Sequence, residues 1–226
     1  MKYRCCWILL FVLNLSAIAQ PYKYIDSDKV DGAEKYRRQI KQHPDQALLE
    51  IKQVIPNIVL DIRYATNNNF TGNKVYNQAR AFARKPVAEA LRAVQAELKT
   101  KGLGLKIFDG YRPYSVTVKF YEIAKDTTFV ADPRKGSRHN RGCAIDLTLI
   151  NLKTGEELQM PTGYDSFSKK AAADYFDLPY IELHNRWLLR TIMEKHGFKI
   201  YPSEWWHYDF AGWERFDLLD VPFEAL

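Results

Sequence analysis

The stretch Ser137-Arg138-His139-Asn140-Arg141-Gly142-Cys143-Ala144-Ile145-Asp146-Leu147-Thr148-Leu149 decides how the rest of the chain is read. Its second half alternates and carries β-branched residues, so 144–149 is predicted to be a strand. Alternation sends Ala144, Asp146 and Thr148 to one face and Cys143, Ile145, Leu147 and Leu149 to the other. Asp146 then sits on an otherwise apolar strand, where its charge needs a partner. Far downstream, Glu204-Trp205-Trp206-His207 adds a second imidazole and a spare carboxylate. His139, Asp146 and His207 are ligand types that zinc accepts, and three protein ligands would leave a fourth position for water. The same residues admit a plainer reading as hydrogen-bonded histidines, a salt-bridged Asp146 and a solvated Glu204. Spacing does not decide between the two, because the interval from His139 to Asp146 is no general zinc signature.

Upstream of that stretch, Pro86 opens a helix in which Val87, Ala90, Leu91, Val94 and Leu98 recur at helical spacing, stopped by Gly102 and Gly104. A short buried strand at 105–108 then delivers Asp109-Gly110-Tyr111-Arg112-Pro113 into a loop, where the proline stiffens the backbone of Arg112. Ser115 is expected to cap a helix running to about 125. Further back, 58–64 alternates as a strand, with Ile58, Leu60, Ile62 and Tyr64 on one face. Residues 22–53 read as two helices, the second opening at Pro44. Downstream, Thr154-Gly155 turns a hairpin and Asp165 sits in a loop at 160–168. A helix at 180–196 is expected to pack Leu183, Trp187, Leu188, Ile192 and Met193 and to end at Gly197. Closing strands follow at 198–201 and 206–210. Strands early, middle and late with helices between them predict a single α+β domain: a largely antiparallel sheet, flanking helices, and any zinc site on the sheet.

Lys2 and Arg4, an apolar run over 5–13 and Ala17-Ile18-Ala19 make a secretory signal peptide of 1–19, leaving 20–226 as an exported, periplasmic domain. The run is shorter than the ~20 apolar residues a membrane span needs, so no lasting membrane insertion is expected. Of three cysteines, Cys5 and Cys6 leave with the leader; Cys143 remains and no intramolecular disulfide is possible. The formal charge of +6 is spread along 226 residues, which does not argue for a nucleic-acid partner.

Ser137-x-His139-x-x-Gly142-x-Ala144-x-Asp146 followed by Glu204-x-x-His207 resembles the signature of zinc D-alanyl-D-alanine peptidases. Asp109-Gly110-Tyr111-Arg112-Pro113, Arg63-Tyr64-Ala65-Thr66 and Asn69-Phe70-Thr71-Gly72 narrow the resemblance to the VanX-type dipeptidases, over about 58–210 and in the family's order. The resemblance implies one zinc per chain on His139, Asp146 and His207, and a small dipeptide hydrolysed by a metal-activated water. It implies Glu204 as general base and Arg112 as partner of the oxyanion, roles that a carboxylate near the water and a permanently charged fork can fill. It further places Ser137 near the dipeptide, Asp165 at its free amine and Tyr64 in the pocket wall.

Alternatives stand beside each assignment. Arg112 could be an ion pair with Asp109, and Tyr64 a core strand residue. Cys143 could be a nucleophile with His139 as base, although alternation and the usual burial of free cysteine oppose it. His43, His184 and His196 lie outside the motifs, His196 reading as a helix-end cation. At the level of function, a D,D-carboxypeptidase acting on peptidoglycan stem peptides fits the same residues. A cell-wall-binding module with structural zinc fits less well, having no use for Glu204 or Arg112.

Overall fold

The computed structural model describes residues 23–124 and 130–226, so the signal peptide assigned to 1–19 lies outside the described residues. The predicted strand at 144–149 is the central strand of the molecule. It runs over Ala144–Asn151 (β6) and is flanked antiparallel on both sides, by Leu103–Asp109 (β5) and by Glu204–Phe210 (β8). Phe198–Tyr201 (β7) forms a hairpin with β8, and Val59–Leu60 (β3) adds in parallel to β5. The sheet order is therefore β3-β5-β6-β8-β7, largely antiparallel as expected. Two small pairs complete the strands: Leu48–Glu50 (β2) with Phe82–Arg84 (β4), and Val30–Asp31 (β1) with Leu218–Leu219 (β9).

Two helices cover one face of the sheet, Lys85–Lys99 (α3) and Tyr180–Lys195 (α5); Ala33–Gln42 (α1), Ile51–Val54 (α2) and Tyr114–Ala124 (α4) lie elsewhere in the chain. Tyr208, the register partner of Ile145, lies beside the α5 charges Glu194, Arg190 and Arg186, so the helices cover the face of Cys143, Ile145, Leu147 and Leu149. All four of those residues are fully buried. The opposite face carries Asp146 and the cleft. The fold is α+β, and alternation assigned both faces of β6 correctly.

Register is what brings the site residues together. The pairing of β6 with β8 sets Asp146 directly across from His207, and Ala144 across from Asp209. On the other side β5 and β6 pair regularly up to Ile107↔Leu147; a bulge at Phe108 then sets Asp109 opposite Asp146. Without the extra residue Asp109 would follow Leu105 and Ile107 onto the helix face, so the bulge turns it toward the cleft.

Several local expectations change. Pro44 opens only a 3-10 turn, Pro44–Gln46, after which the chain extends as β2 to pair with β4, so no second long helix forms. The alternating segment 58–64 buries Ile58, Ile62 and Tyr64 as expected, yet only Val59–Leu60 pairs as strand and Arg63–Ala65 coils into a 3-10 turn. Ser115 does not cap α4 with its own side chain; the Asp220 carboxylate accepts from both its amide and its hydroxyl. The Thr154-Gly155 turn closes on a single bridge, Ile150↔Glu157. In α5 the buried side chains are Asn185, Arg186, Leu189, Ile192 and Met193, while Trp187 is 60% exposed. The packed stripe is rotated because Asn185 and Arg186 find backbone carbonyl partners at Gln159 and Ala172 and so bury without penalty.

Candidate metal centre

The turn entering β6 is built by its own side chains. Asn140 accepts from the Ser137 amide and donates to the Arg112 carbonyl and the Thr117 hydroxyl, tying the turn to the loop after β5. His139–Arg141 forms one 3-10 turn that ends at Gly142 with φ +68°, where a Cβ would come within 2.5 Å of Leu48 Cδ2. Only glycine fits there. The Arg112 amide donates to the His139 carbonyl at 3.1 Å, so the two loops that carry the chemistry are bonded backbone to backbone.

The histidines are aimed through their outer nitrogens. His139 Nδ1 donates to the Gly110 carbonyl at 2.7 Å, and His207 Nε2 donates to Asp209 Oδ1 at 2.9 Å. Gly110 has no room for a side chain, since a Cβ would lie 2.6 Å from the Phe82 carbonyl oxygen. With the outer nitrogens protonated, the inner ones are lone pairs. His139 Nε2 and His207 Nδ1 face each other at 3.1 Å, and Asp146 Oδ1 lies 3.4 Å from the first and 3.0 Å from the second. Asp146 Oδ2 accepts from the Tyr164 hydroxyl, while its buried Oδ1 has no hydrogen-bond partner. In the neutral rings three electron-pair donors thus converge in a buried space around the charge of Asp146. A metal ion can there take the place of the proton that, against burial, Asp146 and Asp209 hold on His207 well above the usual imidazole range. Two imidazoles and one carboxylate, all within 4.8 Å of one another, fit zinc with a position left open. Without a metal, burial opposes the ionisation of Asp146, and positive charge and hydrogen bonds from the protonated imidazoles of His139 and His207 overcome it, holding the carboxyl well below the usual range.

Glu204 begins β8 with its Oε2 3.8 Å from His207 Nδ1 and its side chain 15% exposed. Burial, reinforced by the charge of Asp146 against the pull of His207, pushes its carboxyl up to about 7. Arg112 does pair with Asp109: Nε and Nη2 both donate to Oδ2, at 3.0 and 2.8 Å. The pair does not remove Arg112 from the site, because its Nη2 also lies 3.9 Å from Asp146 Oδ2 and the residue lines the cleft. Phe120 and Tyr64 cover the guanidinium, at 4.8 and 5.4 Å from ring centroid to Cζ. Tyr76 in turn donates to Asp109, which completes a chain from Tyr76 through Asp109 to Arg112.

Tyr64 lies in the 3-10 turn Arg63–Ala65 rather than in a strand, between the core and the cleft. It is buried in the hydrophobic core, and its hydroxyl donates to Asp165 Oδ2 at 2.8 Å on the cleft wall. Asp165 has φ +58°, among the described residues the one non-glycine with positive φ, so its backbone is strained where the carboxyl meets the cleft. Burial and the charge of Asp146 push that carboxyl up to about 8. Ser137 also lines the cleft; its hydroxyl oxygen accepts from the His139 amide at 3.2 Å, leaving its proton to donate elsewhere.

Cys143 is fully buried on the helix face, and burial pushes its thiol up to about 12, so it is no nucleophile. His43, His184 and His196 are absent from the cleft lining; His196 ends α5 against Glu97 at 2.8 Å. Sequence reasoning missed Asp209, Gly110 and Tyr164. Asp209 was open to detection, since two residues beyond His207 in a strand it shares its face. The contacts of Gly110 and Tyr164 depend on tertiary approach and leave no local signal.

A family model described as D-ala-D-ala dipeptidase matches residues 45–220. The D-alanyl-D-alanine dipeptidase of Escherichia coli is 34% identical over 178 residues, covering 79% of this chain and 92% of that protein. The D-alanyl-D-alanine dipeptidase of Enterococcus faecalis is 35% identical over 184 residues, covering 73% of this chain and 91% of that protein. Among solved structures, VanYB in complex with D-alanine-D-alanine aligns at 16% identity and a TM-score of 0.40, over 59% of this chain and 74% of that one.

Proposed function

The chain belongs to the D-Ala-D-Ala dipeptidase family and is a metallopeptidase, and on that premise we propose that it hydrolyses the free D-alanyl-D-alanine dipeptide with one zinc ion on His139, Asp146 and His207. The observation that carries this reading is the convergence of His139 Nε2, His207 Nδ1 and the unpartnered Asp146 Oδ1 beside Glu204. A zinc ion held by His139, Asp146 and His207 would supply Lewis acidity for the scissile carbonyl and for a water ionising near neutral pH.

The protein's own groups do the rest. Glu204, with a carboxyl near 7, is matched to take a proton from water and return it to the departing amine. Arg112, fixed in the cleft by Asp109 and two aromatic faces, offers permanent positive charge to the oxyanion. Asp165 is an acidic side chain in the cleft wall whose carboxyl stays largely protonated for want of a cation. The ammonium of a free dipeptide supplies that cation and draws the carboxyl into its charged form. Ser137 has a hydroxyl proton available for the peptide carbonyl or carboxylate, and Tyr64 holds Asp165 in place.

Export to the periplasm is part of the proposal and rests on the sequence of residues 1–19; N-terminal sequencing of the exported protein tests it, with Gln20 expected first. The activity is tested by incubating zinc-loaded protein with D-alanyl-D-alanine, its N-acetyl derivative and a muramyl pentapeptide, reading product masses and rates. Blocking the amine leaves Asp165 desolvated and unpaired, so the free dipeptide should be favoured by at least ~10³-fold. Comparable kcat/KM for free and blocked substrates would replace this reading with a D,D-carboxypeptidase.

A further inference from the structure

Among the described residues two guanidinium groups line the cleft, and they are held in opposite ways. Arg112 is nearly buried, with Nε and Nη2 committed to Asp109. Arg138, which leads the turn carrying His139, has a side chain 40% exposed. Its Cζ lies 4.8 Å over the Trp213 ring, and its Nε is 3.6 Å from Asp209 Oδ2, beyond hydrogen-bond range. That Nε is buried without a hydrogen-bond partner. Trp213 and Asp209 therefore set the plane and lean of the Arg138 fork without consuming its donors.

An oriented fork with free donors at the edge of a small cleft is suited to a planar carboxylate, which it can meet with two parallel hydrogen bonds. Two further features agree. Ser137, the preceding residue, has its hydroxyl oxygen occupied by the His139 amide and its proton available, a second donor beside the fork. Asp165 borders the same cleft and is an acid whose hydrogen bond comes from an uncharged tyrosine. A cleft offering one cation with uncommitted hydrogen-bond donors and one acid without a cationic partner in hydrogen-bond contact has the polarity of a short zwitterion.

We propose that Arg138 receives the free C-terminal carboxylate of the substrate and is the residue that makes the enzyme require it. The inference rests on the peptidase reading above, and it holds whether the amino side is a free dipeptide or a longer chain ending in D-Ala-D-Ala. A purely structural role has a different signature. If Arg138 only steadied Asp209, and through it His207, its loss would weaken metal binding and slow every substrate alike.

The test compares D-alanyl-D-alanine with D-alanyl-D-alaninamide, which keeps the scissile bond and removes the terminal charge, on zinc-loaded wild type, Arg138→Ala and Arg138→Lys. Wild type should prefer the acid. Arg138→Ala should raise KM for the acid by roughly 10–10²-fold, the range of one hydrogen bond to a charged group, with little change in kcat. The amide should be unaffected, Arg138→Lys should fall between, and the zinc Kd by chelator competition should be that of wild type. Equal losses on both substrates, a weakened zinc Kd, or an undiminished preference for the acid in Arg138→Ala would each overturn the assignment. Failure of the wild type to hydrolyse either compound would instead refute the peptidase reading, and this one with it.

Discussion

Replacing Asp209 by alanine isolates the contribution of one side chain that lies outside the ligand set. Asp209 Oδ1 accepts from His207 Nε2 at 2.9 Å, and in the neutral, metal-binding ring this bond places the proton on Nε2 and leaves Nδ1, directed at Asp146, as the free donor atom. Without it the imidazole is free to take the other tautomer or to rotate, and the metal must then select the competent state. A hydrogen bond to a charged acceptor contributes about 1.5–3 kcal/mol, which is roughly 10–150-fold in a binding constant. Losses of ~10–100-fold are usual when the carboxylate behind a ligating histidine is removed. Zinc affinity in Asp209→Ala should therefore fall by about one to two orders of magnitude, and in Asp209→Asn, which keeps an acceptor without the charge, by less. Chelator competition with a zinc-sensitive dye measures both, with circular dichroism as the check on folding. A folded Asp209→Ala protein with the wild-type zinc Kd would refute the idea that this carboxylate fixes the tautomer.

Glu204→Ala should remain folded and zinc-loaded yet lose ~10²–10⁴ in kcat, the usual worth of a general acid–base; near-normal turnover rejects its role. Cys143→Ser should retain activity, because the thiol lies on the helix face away from Asp146; a folded, zinc-loaded but inactive variant would reinstate thiol chemistry. Asp165 gives a pH signature in the metal-free, substrate-free protein. Its folded pKa of about 8 exceeds the ordinary carboxylate value, so between ~4 and 8 the folded state holds a proton that the unfolded state has released. Its contribution to stability accordingly falls as pH rises through that window and is fully lost above it. Asp165→Asn should flatten the stability profile over that range in urea titrations, and identical slopes for the two proteins would contradict the shift.

Much of the site was legible because it depends on local pattern. Alternation along 144–149 put Asp146 on one face and Cys143 on the other, and the structure agrees at both residues. What remained hidden depends on pairing. Nothing in the sequence of either strand says that Asp146 lies across from His207, since register is settled by which faces the whole sheet must bury. Trp187 was misplaced because a helical pattern was read from apolar residues alone, whereas α5 buries Asn185 and Arg186 through carbonyl partners. Pro44 suited a helix start, but the chain beyond it was claimed by β4 as a strand partner. Arg112 shows a different limit. Its ion pair and its place in the cleft were weighed as rivals, and it has both.

The bulge at Phe108 makes chain length in β5 a determinant of the site in its own right. A substitution at Phe108 removes a ring that stacks on Tyr164 at 4.6 Å and leaves the count of residues intact, so Asp109 still turns toward Asp146. Deleting Phe108 would restore regular pairing, swing the Asp109 carboxyl among the apolar side chains under the helices and strip Arg112 of its anchor. Inserting one residue more would displace the loop that presents the Gly110 carbonyl to His139. The segment between Ile107 and Arg112 therefore works as a spacer of fixed length, more tolerant of altered letters than of altered number.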